Sequence, residues 1–501
     1  MKPAKKQITK IIAIIFLLIF NGMYVLASNG LTDIEITNAV QSELMLNSAT
    51  PSFLIDIETN NGVVILSGQV NDMLAKDRAV KIARTIKGVR AVVNKIEVDV
   101  PERDDTALEN DIEDAWLKDP ATDSYEIFAN AVDGEVTLTG TVESWQEKQL
   151  AEYVVKGVKG VRGITNNINV DYVSERTDYE IKKDIEQRLT NDIRIDDGLV
   201  EVSVNDANVT LSGTVGSASE KYLATTNSWV MGVNSVSADE LEVEQWARDE
   251  TMRKNKYVKK TDNAIREAVE DAFLYDPRIY SFNPDITVEN GIVTLTGEVD
   301  NFKAKRAAEK DAKNVVGVFG VNNLLKVRPL HIPEDAELES KVQEALSEDP
   351  VIEKWEVNVT ANNGIVYLNG EVDTYFEKLE AKDVASKTKG VIAVENNIEV
   401  GDENDYYNYD YYGWNTPFPP AQIGIEESFM SDKEIKNRIN SHLWWSPYVN
   451  EDDVQVSVSD GTATLTGIVD TRREKLYAEI NAMKGGAEEI NNNLIVEYGN
   501  E

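Results

Sequence analysis

The sequence predicts an α+β fold in tandem: six small αββαβ modules, each a three-stranded mixed sheet with two helices on one face. Three observations carry this expectation. A nine-residue phrase, clearest as Gly291-Ile292-Val293-Thr294-Leu295-Thr296-Gly297-Glu298-Val299, recurs at 62–70, 134–142, 207–215, 364–372 and 461–469. Its second glycines (Gly68, Gly140, Gly213, Gly297, Gly370 and Gly467) lie 72, 73, 84, 73 and 97 residues apart. Each is followed nineteen or twenty residues later by another: Gly88, Gly160, Gly232, Gly317, Gly390 and Gly486. A period this regular marks an array of repeated units. Each phrase is also preceded by helical spacing and followed by a helix-start signal.

The elements follow one order in every repeat. The first helix shows apolar residues at i, i+4 and i+8, as in Ile36, Val40 and Leu44 or Ile435, Ile439 and Leu443, which places one face in a core. Thr32, Thr177, Thr261 and Ser431 stand before these runs, where a hydroxyl can accept from the exposed amides. An alternating strand follows, such as Trp355-Glu356-Val357-Asn358-Val359. Asn290-Gly291 or Asn363-Gly364 then turns the chain back, antiparallel, into the phrase. Along the phrase Val293 and Leu295 face the core and Thr294 the other side, leaving one sheet face wet. Its closing glycine is expected to allow close backbone packing or a positive φ.

The second helix begins at Asp72, Ser144, Ser217, Asn301, Thr374 and Thr471, with Glu147, Glu220, Glu377 and Glu474 completing capping boxes. It buries Ala79, Val80, Ile82, Ala83 and Ile86, and is expected to stop at Gly88 as its C-terminal cap. A last strand, such as Ile96-Glu97-Val98, closes each module through a right-handed crossover.

The phrase G-x-V-x-L-x-G-x-V, the capped helix and a closing G-V-x-x-V-x-N-x-[IL] together resemble the BON domain family of bacterial envelope proteins. The closing motif reads Gly390-Val391-Ile392-Ala393-Val394-Glu395-Asn396-Asn397-Ile398 in the fifth repeat. Repeat three departs from the pattern with Ala207 for the leading glycine and one extra residue in 232–241, and repeat six with acids at Glu488 and Glu489. The repeats span 31–100, 105–172, 176–243, 260–328, 334–400 and 431–498. The resemblance implies a periplasmic protein that contacts phospholipid surfaces and supports envelope integrity under osmotic stress, without catalysis or cofactor.

Residues 1–28 read as an export signal: Lys2, Lys5, Lys6 and Lys10 precede an apolar run at 11–20, with cleavage expected after Ala27. The alternative is an uncleaved anchor, for which the run is short. The net charge of −37, from 88 acids against 51 bases, opposes the phosphate neutralisation that nucleic-acid binding requires. The chain has no cysteine and two histidines, His331 and His442, without a second histidine at ligand spacing, so thiolate and zinc sites are not expected. No G-x-S-x-G elbow occurs, and neither a metal nor a small-molecule substrate is expected.

Two connectors differ from the rest. Residues 244–259 contain Arg253-Lys254-Asn255-Lys256 and form either a solvated linker or an anionic-lipid contact. Residues 401–430 hold Tyr406, Tyr407, Tyr409, Tyr411, Tyr412 and Trp414 with three prolines, and read as a spacer or as an aromatic docking segment. Limited proteolysis is expected to cut there first.

The candidate lipid-binding residues fall in two groups. Repeat one carries nine acids and seven bases, and its bases cluster as Lys76, Arg78, Lys81, Arg84, Lys87 and Arg90, the first five on the polar side of the second helix. Trp145, Phe302 and Tyr375 each stand one residue past a helix cap, where aromatic rings suit a headgroup zone. The plainer readings are a solvated helix face and rings folded back over the helix start. The expected partner is a phospholipid surface or an envelope protein; the alternative function is a soluble periplasmic chaperone or spacer without lipid contact.

Overall fold

The computed structural model describes residues 31–45, 54–122, 124–172, 176–248, 260–352, 356–372, 375–400, 431–446, 448–459, 461–487 and 489–496. The export segment, the basic run 253–259, the tyrosine-rich connector, Thr374 and the side chain of Tyr375 lie outside the described residues.

All six modules have the αββαβ order. Module one runs from helix Asp33–Met45 through strands Ile55–Asn60 and Val63–Val70 to helix Met73–Arg84 and strand Ala91–Val98. The phrase strand is central in every module, paired antiparallel with the first hairpin strand and parallel with the last. In module four Val293 lies opposite Val288 on one side and Val321 on the other, and Leu295 opposite Ile286 and Asn323. Val293 and Leu295 are fully buried and Thr294 only partly, as the alternation predicts. Both helices cover that buried face: Ile265, Val269 and Phe273 from the first and Ala304, Ala307 and Ala308 from the second join Val293 and Leu295 in one cluster. Each fully buried valine or leucine contributes about 1.5–3 kcal/mol.

The hairpin turns have two consecutive residues with positive φ, Asn290 at 53° and Gly291 at 73°, which matches the right-handed twist of the strands. A contact invisible in the helix-start signals fixes them. The aspartate opening the first helix reaches across to the turn: Asp262 accepts from the amides of Asn290 and Gly291 at 2.9 and 2.8 Å, and Asp33 from Asn61 and Gly62 at 2.9 Å each. In module three Asp178 does the same for Asp206 and Ala207. There Ala207 holds a φ of 61°, a conformation that costs an L-residue about 1–2 kcal/mol, partly offset by the extra freedom glycine has when unfolded. Ala207→Gly should therefore stabilise the protein by about 0.5–1 kcal/mol, read from the denaturant midpoint at unchanged slope.

Two local expectations are corrected. The second helix of module one stops near Gly88, as expected, but at Arg84 with Thr85 as its C-cap, and Gly88 lies in a following turn at φ 87°. A short turn from Ile86 back to Ala83 closes the helix before the glycine, and a second, from Val89 back to Ile86, carries Gly88. The capping boxes also differ. Ser144 and Glu147 form the full reciprocal box, but Glu220 turns its carboxylate to the amides of Gly216 and Asp196. Glu474 likewise accepts from Asp470 and Asn450, at 3.0 Å each. These two glutamates tie the helix start to the segment before the hairpin rather than to the cap's own amide.

Candidate functional site: the interior between modules

The second helices do not point into solvent. Their polar faces and starts meet residues of other modules, and several of the candidate lipid-binding residues lie in those contacts. Arg78 and Lys87 are 6% and 5% exposed. Lys87 Nζ lies 3.2 Å from Glu451 Oε1 and 4.3 Å above the ring of Trp444, both in module six. Arg84 sits 4.3 Å over Tyr222 of module three, while exposed Arg90 lies 3.8 Å from Glu244. Lys76 and Lys81 are half-buried; burial pushes the Lys81 ammonium down to about 8, against the opposing pull of Asp77. These bases lie largely against neighbouring modules rather than in solvent.

The residues after the helix caps of modules one to four are covered as well. Trp145 of module two stacks on Trp229 of module three, with ring centroids 5.3 Å apart and planes within 5°, and Gln146 donates to the Trp229 carbonyl at 2.7 Å. Phe302 packs against the core of module five. Met73 and Ala218, at the equivalent positions of modules one and three, are buried, and Arg472 of module six lies over Phe319 of module four.

Around these contacts lies a network of charges that the repeat pattern does not announce. Lys303 of module four and Asp119 of module two form a pair at 2.9 Å, with side chains 4% and 2% exposed. Burial alone would raise the Asp119 carboxyl, but Lys303 holds it below the usual range. Arg306 of module four reaches Asp383 of module five at 3.3 Å. Asp77 of module one pairs with Lys156 of module two at 2.9 Å, and Lys118 of module two lies 3.3 Å from Glu344 and Glu348 of module five. The sequence signal behind part of this network is an aspartate at the end of the first helix, followed by proline at 119–120, 276–277 and 349–350. Asp276 pairs with Arg278 there, and Asp192 with Arg194. A polar cavity of about 160 Å³ lies between modules three and four, lined by Arg188, Asp192, Asp271 and Tyr275 among others.

Glu380, 8% exposed, is one of the carboxylates this interior perturbs. Burial, then the charges of Asp349 and Asp383, push it up to about 8 from the usual 4.5, against Lys387 and Arg78. The folded chain therefore keeps a proton that the unfolded chain loses between about pH 4.5 and 8, so this group's contribution to stability falls as pH rises through that window. Glu380→Gln stays neutral throughout. Its free energy of unfolding should exceed the parent's at pH 8, by on the order of a few kcal/mol, and converge with it near pH 4.5; equal pH profiles for the two proteins would contradict the assignment.

Among the described residues no group of three or more metal-ligating side chains is gathered, and no helix is long and apolar enough to cross a membrane. The repeated motifs identify the fold more closely. The sequence profile of the BON domain matches residues 32–100, 104–172, 177–245, 261–329, 334–402 and 431–498. The chain belongs to the BON domain family. Osmotically-inducible protein Y of Escherichia coli is 33% identical over 147 residues, 28% of this chain and 73% of that protein. The outer membrane lipoprotein DolP of Haemophilus influenzae is 35% identical over 135 residues, 26% of this chain and 69% of its own length. Each match is about the length of two BON modules. Among solved structures, CdsD, a structural protein of the type III secretion system of Chlamydia trachomatis, aligns over 41% of this chain and 89% of its own, at 15% identity and a TM-score of 0.12. A likeness that low carries no argument.

Proposed function

We propose that this BON protein is an exported, non-catalytic, multivalent binding protein of the bacterial envelope, its signal removed after Ala27, which contacts phospholipid surfaces and supports envelope integrity under osmotic stress. The observation that carries the reading is the six-fold BON match, together with relatives named as an osmotically inducible protein and an outer membrane lipoprotein. The basic start and apolar run at 11–20 support export. The candidate lipid contacts remain Lys76, Arg78, Lys81, Arg84, Lys87 and Arg90 with Trp145, Phe302 and Tyr375.

A second reading has its own support. Burial of Arg78 and Lys87, and the packing of Trp145 and Phe302 between modules, favour a periplasmic spacer or chaperone that touches no lipid. Flotation of the mature chain with vesicles separates the two. Co-flotation with phosphatidylglycerol vesicles that weakens with salt supports the lipid reading; absence from both phosphatidylglycerol and phosphatidylcholine vesicles supports the spacer. Fractionation of expressing cells tests export, and recovery of a chain retaining residues 1–27 in the cytoplasm would contradict it.

A further inference from the structure

Modules one and six, the first and last of the array, touch each other, and the character of that contact differs from the one between modules one and two. Modules one and two share a single continuous apolar cluster, in which Val64, Leu66 and Ile82 join Ile112, Trp116 and Leu138. Module six keeps a core of its own, and among the described residues Trp445 is its one apolar side chain packed on the cluster of modules one and two. The rest of the contact is ionic and aromatic. Lys87 lies between Glu451 and Trp444. Glu43 of module one is 3.7 Å from Lys484 Nζ and 3.8 Å from His442 Nδ1. Buried ion pairs contribute little net stability, because the desolvation of both charges offsets their attraction. Polar interfaces between domains of one chain are the ones expected to open.

We infer that module six is a releasable clasp: docked, it covers Lys87 and closes the chain end to end; released, it presents Lys87 beside exposed Arg90 to an anionic phospholipid surface. The inference rests on the lipid reading for its ligand, but not for the clasp itself. An anionic surface that binds only the released form shifts the chain toward it by mass action. Release also frees Lys484 from Glu43, so two lysines that are 5% and 6% exposed in the closed chain become available.

The test uses the full mature chain. It contains no cysteine, so Glu58→Cys in module one and Ser457→Cys in module six, both exposed, give a unique pair of spin-label sites. The closed chain should show one narrow inter-label distance. Trp444→Ala combined with Glu451→Gln removes both partners of Lys87 without adding a base or touching the module-six core. It should broaden and lengthen the distribution, and raise affinity for phosphatidylglycerol vesicles at least five-fold, the worth of about one base near an anionic membrane. Lys87→Glu with Glu451→Lys, which swaps the charges, should keep the narrow distance. An unchanged distribution in the first variant overturns the clasp. A chain that opens yet binds no better than the parent to phosphatidylglycerol vesicles overturns the membrane part of the inference while the clasp stands; the lipid reading itself falls only if neither chain binds.

Discussion

Asp119→Asn should destabilise the protein by about 3–5 kcal/mol, the cost of leaving a buried charge without its partner. The asparagine retains the side-chain oxygen that accepts from Ala121 at 3.0 Å, so the local turn survives. What is lost is the anion 2.9 Å from Lys303 Nζ, in a place where that ammonium is 4% exposed. Because the two residues belong to modules two and four, the loss falls on the interface rather than on either core. Adding Lys303→Met to Asp119→Asn should recover most of the stability, since an apolar side chain of similar length needs no counter-charge. Chemical denaturation of the parent, the single variant and the double variant measures the cycle. A single variant within about 0.5 kcal/mol of the parent would show that the pair is solvated.

Gly370→Ala should cost about as much for a different reason. At φ 138° a Cβ on residue 370 would lie 1.9 Å from the carbonyl oxygen of Glu356, just before the neighbouring strand Val357–Asn362. Either the strand separates or the backbone rotates, and steric overlap together with the unfavourable φ amounts to about 3–5 kcal/mol. Gly297 occupies the same place in module four and provides the control. Its φ is 114°, but the nearest atom to a Cβ is 3.8 Å away, so Gly297→Ala should lose only the conformational part, about 1–2 kcal/mol. Equal losses at the two positions would mean that φ alone, and not the close approach, demands glycine there.

Within a module the sequence was informative because the signals are local and repeated. Val293 and Leu295 alternate with Thr294, Asn290-Gly291 sets the turn, and Ser144 and Glu147 start a helix; each works over a few residues, and six copies repeat the message. The Asp262 bridge to the turn was missed because its partners lie 28 and 29 residues away. The interior between modules was hidden for a stronger reason. A basic helix face such as Lys81, Arg84 and Lys87 satisfies the same pattern whether it meets water, lipid headgroups or another module's Glu451 and Tyr222. Hydropathy separates apolar from polar, but not a solvated charge from one paired with a residue 364 positions away. The same ambiguity applies to Trp145, whose partner Trp229 belongs to another repeat.

That the six modules gather around this interior, rather than trailing as separate beads, is the central structural claim, and small-angle X-ray scattering of the unmodified mature chain tests it most directly. A single compact body of this length has a radius of gyration of about 23 Å, somewhat enlarged by connectors. Six modules strung out in a line would give roughly 45 Å. A value near the first figure at physiological salt is the predicted result; a value near the second would contradict the gathered arrangement of the second helices.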